Sequence, residues 1–501
     1  MHTNNHHILS IFVLLFSVTT IASPPTAIAD DADRPTAIQI GNRRQLFFDD
    51  FLIEETTNLT RTWHQAEKHP DNPVLRREFP WEDWRIQLYG TVIFDPAAGI
   101  FKAWYMTIPE FPNNKITVEG KLRPGHATLV AYAISKDGVQ WEKPPLNQVS
   151  FDGSKETNLV GPEMYNPEGF SVLFEPDDAD PQRRYKAFYW DHGNGPTIVI
   201  GGNEIYGPGP DDGMHVAFSP DGVLWKVCEK RPVLNYSSDT GHCVVFDQQE
   251  NKYVAFVRSW AKGRTVARTE SKDFINWSSP ETVLATDEQD DAQTQIYGMT
   301  VNYYDGIYIG MPWMFHTQDN QFDFQLCHSR DAKTWVRNPK RQVFLPPGPT
   351  GAWDSRDMRA ACRAVILEDR VLYYYSGSPI PHATKDPKRL GQEIGLATLR
   401  RDGWVSLDAG RNPGTLTTQP FVHPGGTLFI NTDASDGEIS VEYLDADGQP
   451  LSDVSAAVGI AGDHLRTAVL FGNTTDDLLK GKTIRLRVSM ANAKLYSFWY
   501  E

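Results

Sequence analysis

A pair of β-hairpins recurs five times along this chain, and this repeat limits the fold more than any other feature of the sequence. The first hairpin of each pair is an apolar alternating run, an acidic turn and an aromatic-rich run, as in GTVIFDPAAGIFKAWYM at 90–106. The second is a strand, a tight turn that contains Asp, and a Trp, as in VAYAISKDGVQW at 130–141. Alternating runs around a turn of Asp, Gly, Pro or Asn are typical of a hairpin. Each pair therefore predicts four antiparallel strands.

The copies follow one another in the same order. The first hairpins lie at 90–106, 171–190, 243–259, 299–313 and 363–377. The second hairpins end in Trp141, Trp225, Trp277, Trp335 and Trp404, which are 84, 52, 58 and 69 residues apart. Four antiparallel strands repeated at this period are typical of a propeller blade, so five copies predict five blades. We expect the turn Asp to accept backbone N–H bonds and the Trp to pack between neighbouring blades. Chance similarity among the hairpins of a sandwich is the alternative.

The repeat ends at Trp404, and a different pattern follows. From about residue 413 the chain runs through alternating strands with Asp-Gly turns and has no further Asp-turn-Trp unit. The predicted fold is therefore all-β, a five-bladed β-propeller over 30–412 followed by a C-terminal β-sandwich over 413–501. The strand-like stretch 45–53 is expected to complete the last blade or to run along the edge of the propeller.

The N-terminus has the pattern of an export signal. Residues 8–21 form an apolar run that is followed by small residues, and cleavage is expected after Ala22 or after Ala29. The run is shorter than the roughly 20 residues that a membrane span needs. We therefore assign 1–29 to a signal peptide and a short linker, and expect a secreted or periplasmic protein with no membrane attachment after cleavage.

Charge and cysteine content exclude several other classes of protein. The net charge is −16, and no cluster of Lys and Arg could neutralise the phosphates of a nucleic acid. A neutral substrate fits this balance, whereas an anionic one would need a local Arg or Lys pocket. The four cysteines show no zinc-binding spacing. They allow three disulfide pairings, and free buried thiols are the alternative.

The candidate functional residues lie just before the first strand of each blade. These segments line one mouth of a propeller, because inner strands begin near its axis. Glycoside hydrolysis needs one carboxylic acid to protonate the leaving oxygen and one carboxylate to attack C1 or activate water. The catalytic candidates are Glu82, Glu168, Asp239, Asp291 and Asp357. The substrate-binding candidates are Arg85, Asn166, His242, Gln293, Tyr297 and Arg359. Turn residues and solvated rim charges are the alternative for each of them.

The hairpins SKDGVQW at 135–141 and SPDGVLW at 219–225 carry a family resemblance. They resemble the Ser-x-Asp-Gly…Trp hairpins of five-bladed propeller glycosidases, the architecture of glycoside hydrolase families 32 and 43. They are also similar to the Asp-box of sialidases, which have six blades. The resemblance covers roughly 45–410, and it implies a secreted enzyme that cleaves a carbohydrate.

The resemblance also implies three acidic residues, one near the start of each of the first three blades. By position these are Glu82 or Asp83, then Glu168, then Asp239. The chain departs from the family pattern, since it has no N-D-P-N-G in blade one, no R-D-P in blade two and no E-C pair in blade three. Asp291 and Asp357 therefore stay candidates.

The catalytic roles are assigned to these residues by their positions in the blades alone. Asp239 is expected to be the base or nucleophile and Glu168 the general acid, with Asp291 or Asp357 as the orienting third carboxylate. The substrate would be bound by Arg85, His242, Tyr297 and Arg359.

Three alternatives compete with a glycosidase: a non-catalytic lectin-like propeller, a sialidase-like enzyme, and a propeller that binds a protein partner. A sialidase would need an Arg cluster, which Arg85, Arg356 and Arg359 could supply, and a Tyr nucleophile such as Tyr297. The expected partner is a carbohydrate rather than nucleic acid or a membrane, and the expected state is a monomer. No cofactor or catalytic metal is expected. A structural Ca²⁺ on the axis would suit the carboxylates, although no calcium-loop pattern occurs.

Overall fold

The computed structural model describes residues 37–109, 115–124, 127–193, 195–200, 203–382, 391–472 and 476–501. The signal peptide and cleavage sites predicted within 1–29 lie outside these residues. Helix is confined, in the ranges described, to three short 3-10 segments, Pro80–Glu82, Pro181–Arg183 and Asp476–Leu479. No helix of the described residues has the length and apolarity to cross a bilayer.

Five separate antiparallel sheets follow one another along the chain, which confirms the predicted five-bladed propeller. Blade one contains Arg85–Asp95, Ile100–Ile108, Leu129–Ser135, Trp141–Glu142 and Leu159–Val160. Blade two contains Pro167–Phe174, Tyr185–Asp191, Gly213–Ser219 and Lys226–Val227. Blade three contains Cys243–Asp247, Lys252–Ser259, Thr265–Ser271 and Glu281–Leu284. Blade four contains Thr294–Tyr304, Ile307–His316, Gln321–Gln325, Cys327–Ser329, Val336–Arg337 and Val343–Leu345. Blade five contains Asp357–Ala360, Val365–Ile366, Arg370–Ser378, Glu393–Arg400 and the N-terminal strand Glu67–Lys68.

The first strand of each blade is the inner strand. The first strands of blades one to four contact one another in sequence, and that of blade five contacts that of blade one. Side chains bridge these strands to backbone of the next blade: Thr91 Oγ1 donates to Phe170 O at 3.1 Å, and Thr300 Oγ1 donates to Ala361 O at 2.7 Å. Such bonds satisfy backbone groups that the inner edge of each sheet would otherwise leave unpaired.

A half-buried arginine ties three blades together near the axis. Arg363 of blade five donates from Nη2 to Val172 O of blade two at 2.8 Å and to Val244 O of blade three at 2.9 Å. Burial lowers the pKa of this guanidinium, but arginine stays charged at neutral pH. These two hydrogen bonds therefore connect blades across the centre of the ring, in addition to the contacts between neighbouring blades around it.

The Asp turns have the expected role in four blades. In blade two, Asp221 Oδ1 accepts from the N–H groups of Val223 and Leu224, both at 2.8 Å. Trp225 then packs edge-on against Trp104 of blade one, with ring centroids 6.3 Å apart. The same Ser-to-Asp and Asp-to-backbone bonds recur at the turns of 135–140, 271–276 and 329–334.

Blade five departs from this pattern. Its turn residue Asp402 is fully buried and accepts from Tyr304 Oη at 2.7 Å and from Ser497 Oγ at 2.6 Å. Arg44 forms an ion pair with the same carboxylate at 2.7 Å. The fifth turn thus connects the propeller to the C-terminal sandwich instead of capping its own loop.

The sandwich combines strands from both ends of the described chain. From the C-terminal part come Val405–Ala409, Gly414–Thr418, Phe421–Val422, Leu428–Leu444, Ala457–Ala468, Thr483–Ala491 and Ala493–Tyr500. From the N-terminal part come Ile38–Gln39, Gln45–Leu46, Ile53–Thr57 and Leu59–Trp63. The long strand Leu428–Leu444 pairs with Ala493–Tyr500 through its first half and with Thr483–Ala491 through its second, so it takes part in both layers.

Of the two alternatives for 45–53, completion of the last blade is not observed, whereas Asp49 does contact the propeller through Arg330 of blade four. Residues 45–46 pair with the last strand of the sandwich, and Ile53–Thr57 pairs with Gly414–Thr418. The strand that completes blade five is Glu67–Lys68, which pairs with Glu393–Arg400. A two-residue strand carries no periodic signal, which is why the sequence pattern pointed to the longer apolar run before it.

Two further hairpins extend from the blades, Lys115–Val118 with Lys121–Pro124 and Thr197–Ile200 with Asn203–Tyr206. All four cysteines are free: Cys228, Cys243, Cys327 and Cys362. Of the two alternatives for the thiols, the structure shows the unpaired one.

Candidate functional site

The site lies at the mouth where the inner strands begin. Because each second strand runs antiparallel to the first, its last residues reach the same mouth. Blade three therefore contributes Asp239 from the loop before its inner strand and Arg258 from the end of its second strand. Blades two, four and five contribute Glu168, Tyr297 and Arg359 from their inner strands.

Glu168 and Asp239 are two carboxylates in unlike surroundings. The pKa of Glu168 is raised to about 7, first by burial and then by repulsion from Asp239, against the opposing effect of Arg85 and Arg258. Within the described residues no hydrogen bond engages the Glu168 carboxylate. Asp239 forms an ion pair with the fully buried Arg258, while its own side chain is half exposed. Glu168 is thus poised to hold a proton near neutral pH, whereas Asp239 is paired with an arginine.

Tyr297 is surrounded by three guanidinium groups. The guanidinium carbons of Arg359, Arg258 and Arg264 lie 4.1, 4.2 and 5.0 Å from the centre of its ring. Burial alone would raise the pKa of Tyr297, but the charges of Arg359 and Arg258 offset it and the pKa is lowered. Tyr89 of blade one lies beside it, and burial raises the pKa of that phenol.

Arg359 is held by a network of its own. It forms an ion pair with Asp357, donates from Nε to Tyr89 Oη at 3.1 Å, and lies 3.1 Å from His382 Nδ1 through Nη2. Asp357 is itself fully buried. This buried carboxylate therefore holds the guanidinium of Arg359 in place, and its predicted role as the orienting third carboxylate stays a prediction.

His242, predicted to bind substrate, is buried within the wall of the propeller. Its Nε2 lies 2.8 Å from Ser238 O and 3.0 Å from Ser238 Oγ, and its Nδ1 lies 3.2 Å from Gly169 O. Burial lowers its pKa to about 4, so the ring is neutral near pH 7. Since Arg258 N donates to the same Ser238 Oγ at 2.9 Å, His242 fixes the loop that carries Asp239.

Glu82 and Asn166 are also engaged in structural bonds. Glu82 is fully buried and accepts from Tyr105 Oη at 2.6 Å and from Lys143 Nζ at 2.8 Å. Asn166 Oδ1 accepts from Thr128 N at 2.7 Å. Their polar groups are used in holding the loops that precede blades one and two, which leaves them little capacity to bind a ligand.

Asp291 and Gln293 lie on the exposed rim of blade four. Asp291 Oδ1 accepts from Gln293 N at 3.0 Å, and Gln293 O accepts from Thr317 N at 2.9 Å. Arg356, one member of the cluster considered for a sialidase, is also peripheral and directs Nη1 toward Asp319 O at 3.4 Å. The structure does not bring these three side chains into the contacts around Tyr297.

Arg85 lies close enough to Glu168 to lower its pKa, and its guanidinium is 4.7 Å from the centre of the Trp84 ring. The predicted residues that the structure brings together at the axis are therefore Arg85, Glu168, Asp239, Tyr297, Asp357 and Arg359.

Sequence reasoning missed the residues at the ends of second strands. Arg258 lies near the end of the second strand of blade three, and the hairpin residues Trp260 and Arg264 follow that strand. His382 follows the blade-five strand Arg370–Ser378. The signal that could have found Arg258 is the antiparallel geometry itself, which returns the end of each second strand to the mouth.

No set of three or more His, Cys, Asp or Glu side chains is placed to hold a metal ion, as far as the described residues go. The structural Ca²⁺ considered from the sequence stays a prediction.

Comparison with known proteins adds little beyond the fold. No protein-family model and no curated protein matches the sequence. An N-acetylgalactosamine deacetylase from F. plautii, solved with blood group B trisaccharide, is similar at 14% identity and a TM-score of 0.41, over 69% of this chain and 96% of that chain. A glycosyl hydrolase from Bacteroides ovatus is similar at 14% identity and a TM-score of 0.44, over 68% and 94%.

A family 43 arabinoxylan arabinofuranohydrolase from Bacillus subtilis, solved with cellotetraose, is similar at 9% identity and a TM-score of 0.41, over 87% of this chain and 99% of that chain. Likenesses at this level assign no activity to this chain. The fold is assigned from its own strand pairings, and the chemistry from its own side chains.

Proposed function

We propose that this chain is a glycoside hydrolase that cleaves a glycosidic bond at the propeller mouth. The observation that supports this most is the proximity of Glu168, whose pKa is raised to about 7, to Asp239, which is paired with Arg258. Glycoside hydrolysis requires two carboxyl groups with different protonation states on either side of the bond.

In this proposal Glu168 is the general acid. It retains a proton near neutral pH and has no hydrogen-bond partner among the described residues, so it can donate to the leaving oxygen. Asp239 attacks C1 or activates water, because it is paired with Arg258 and half of its side chain faces solvent. Asp357 acts only through Arg359, which makes it a positioning residue.

Substrate binding in the proposal falls to side chains that already surround the two carboxyl groups. Arg85 lies beside Glu168, and Arg359 and Tyr297 line the neighbouring wall. Export remains part of the proposal, and N-terminal sequencing of protein recovered outside the cytoplasm would identify any cleavage near Ala22 or Ala29.

The test is a hydrolysis screen with aryl-glycosides and with plant, algal and animal polysaccharides. Glu168→Gln and Asp239→Asn should each lower the rate by about 10²-fold or more, the scale expected for loss of a catalytic acid or base. Glu281→Gln is the matched control, because Glu281 is an exposed carboxylate on the outer strand of blade three. The parent rate should also fall as the pH rises through about 7, where Glu168 loses its proton.

A lectin-like propeller would give the opposite result. It would bind one of the polysaccharides without releasing sugar, and the two substitutions would leave that binding unchanged. This outcome would remove both catalytic assignments.

A further inference from the structure

The hairpin between the second and third strands of blade three carries an unusual concentration of cationic and aromatic side chains. Its sequence from 259 to 265 is SWAKGRT, with Trp260, Lys262 and Arg264. Ser259 pairs with Thr265, so the turn is short. It follows Arg258 directly and therefore lies next to the proposed catalytic Asp239.

Of the three guanidiniums around Tyr297, two are paired with carboxylates and the third, that of Arg264, is not paired with one in the described residues. Arg258 pairs with Asp239, and Arg359 pairs with Asp357. Within the described residues, Arg264 has no carboxylate partner and makes a single hydrogen bond, from Nη1 to Gln295 Oε1 at 2.9 Å. Arg264 thus places a cation without a paired carboxylate of the described residues at the mouth, in a chain whose net charge is −16.

The surrounding structure holds Arg264 in place. Its guanidinium lies 5.0 Å from the ring centre of Tyr297, 5.2 Å from that of Trp260 and 5.5 Å from that of Phe315. Its backbone carbonyl accepts from Ile296 N at 3.1 Å, which fixes the hairpin to blade four. Aromatic faces stabilise a guanidinium without using its N–H donors. Arg264 is therefore oriented in advance and keeps donors for a ligand.

Trp260 completes the arrangement. Trp260 is 57% exposed, whereas each of the other 13 tryptophans in the chain is buried or half-buried. An exposed indole beside a funnel mouth offers a flat apolar face of the kind on which a sugar ring stacks. Lys262, between Trp260 and Arg264, is exposed and adds a second cation to the same turn.

We infer that residues 259–265 form a subsite for an acidic sugar, in which a uronate ring stacks on Trp260 and its carboxylate forms an ion pair with Arg264. A planar guanidinium matches a carboxylate through two parallel N–H···O bonds. The inference rests on the proposed function, because it places the acidic sugar next to Glu168 and Asp239. It specifies an acidic carbohydrate as the substrate class, which the net negative charge of the chain would otherwise disfavour.

The binding experiment uses titration calorimetry in the Glu168→Gln background, so that no probe is consumed. The probes are an oligogalacturonate, its methyl ester, which has the same rings without charge, and a sulfated galactan oligosaccharide. The oligogalacturonate should bind about tenfold or more tightly than its ester, the size expected for a charged hydrogen-bonded pair. That preference should weaken as salt is raised.

Three substitutions separate the roles within the hairpin. Arg264→Gln should abolish the preference for the acid over the ester, and Arg264→Lys should restore part of it. Trp260→Ala should weaken acid and ester alike. Lys272→Gln, on an exposed turn of the same blade, is the matched charge control and should change neither. Unchanged far-ultraviolet circular dichroism would show that the variants fold.

The outcomes distinguish this inference from the proposed function. Equal binding of acid and ester, or a preference that survives Arg264→Gln, overturns the subsite whether or not the parent hydrolyses any sugar. Tighter binding of the sulfated probe than of the uronate, lost in Arg264→Gln, overturns the carboxylate assignment in favour of sulfate. Arg264-dependent uronate binding supports the subsite even if no hydrolysis is found, in which case only the proposed function fails.

Discussion

The Glu168→Gln substitution should make the protein more stable at alkaline pH while leaving its stability at acid pH almost unchanged. In the folded chain the pKa of Glu168 is raised from 4.5 to about 7, by burial first and by Asp239 second. The folded chain therefore holds a proton that the unfolded chain releases, and its contribution to stability is lost as the pH rises through about 7. The difference between 4.5 and 7, at about 1.4 kcal/mol per pH unit, amounts to about 3 kcal/mol. Glutamine cannot ionise, so the variant escapes this loss.

The measurement is urea unfolding followed by tryptophan fluorescence at pH 5 and pH 8. Between these values the parent should lose about 2–3 kcal/mol relative to Glu168→Gln. Asp239→Asn should remove part of that loss, because it removes the neighbouring negative charge. Glu281→Gln should follow the parent, as Glu281 is exposed. Parallel pH dependence in the parent and Glu168→Gln would refute the electrostatic account of this pair, independently of any substrate.

Three further predictions concern the frame that holds the site. Gly169→Ala should cost more than about 2 kcal/mol of unfolding free energy, because φ is +66° and an added Cβ would lie 2.1 Å from an imidazole nitrogen. The control is Gly41→Ala, where φ is +55° and an added Cβ would have nothing within 4 Å. It should cost only about 1 kcal/mol of unfolding free energy. Asp221→Ala should cost about 1–2 kcal/mol, because two backbone N–H groups lose their acceptor. Arg363→Met should cost about 2–4 kcal/mol by leaving two buried carbonyls unpaired. Urea titration checks all of them, and a variant that unfolds like the parent would contradict the role given to that residue.

The blades were predictable because their signals are local. The Ser, Asp and Trp of a turn such as 219–225 lie within seven residues, and their bonds are made largely within that turn. The closure of the ring was not predictable in the same way. Glu67–Lys68 pairs with a strand more than 300 residues away, and two residues give neither alternation nor a turn signal.

Within the site, the sequence indicates which segments meet but not which way each side chain faces. Glu168 and Asp239 belong to segments that precede inner strands, and the structure does bring their charges together. His242 belongs to such a segment too, yet its ring turns into the wall and bonds Gly169 O. Arg258 was not predicted because the predicted residues all belong to the segments where inner strands begin. The second strand of a blade is antiparallel to the inner strand, so it ends at the same mouth of the propeller.

The pairing of Ile53–Thr57 with Gly414–Thr418, and of Gln45–Leu46 with the final strand, has a consequence for how the chain is made. Residues near the start of the described chain find their partners only after nearly all of the remaining chain has been synthesised. Their segment must therefore stay unpaired during translation and any translocation, while the blades fold behind it. Assembly of the sandwich and completion of blade five are late events, because the strands that pair come from opposite ends of the polypeptide. A ribosome-bound or partly translocated chain thus exposes its edge strands for most of its synthesis, and this is when a chaperone or protease has access to them.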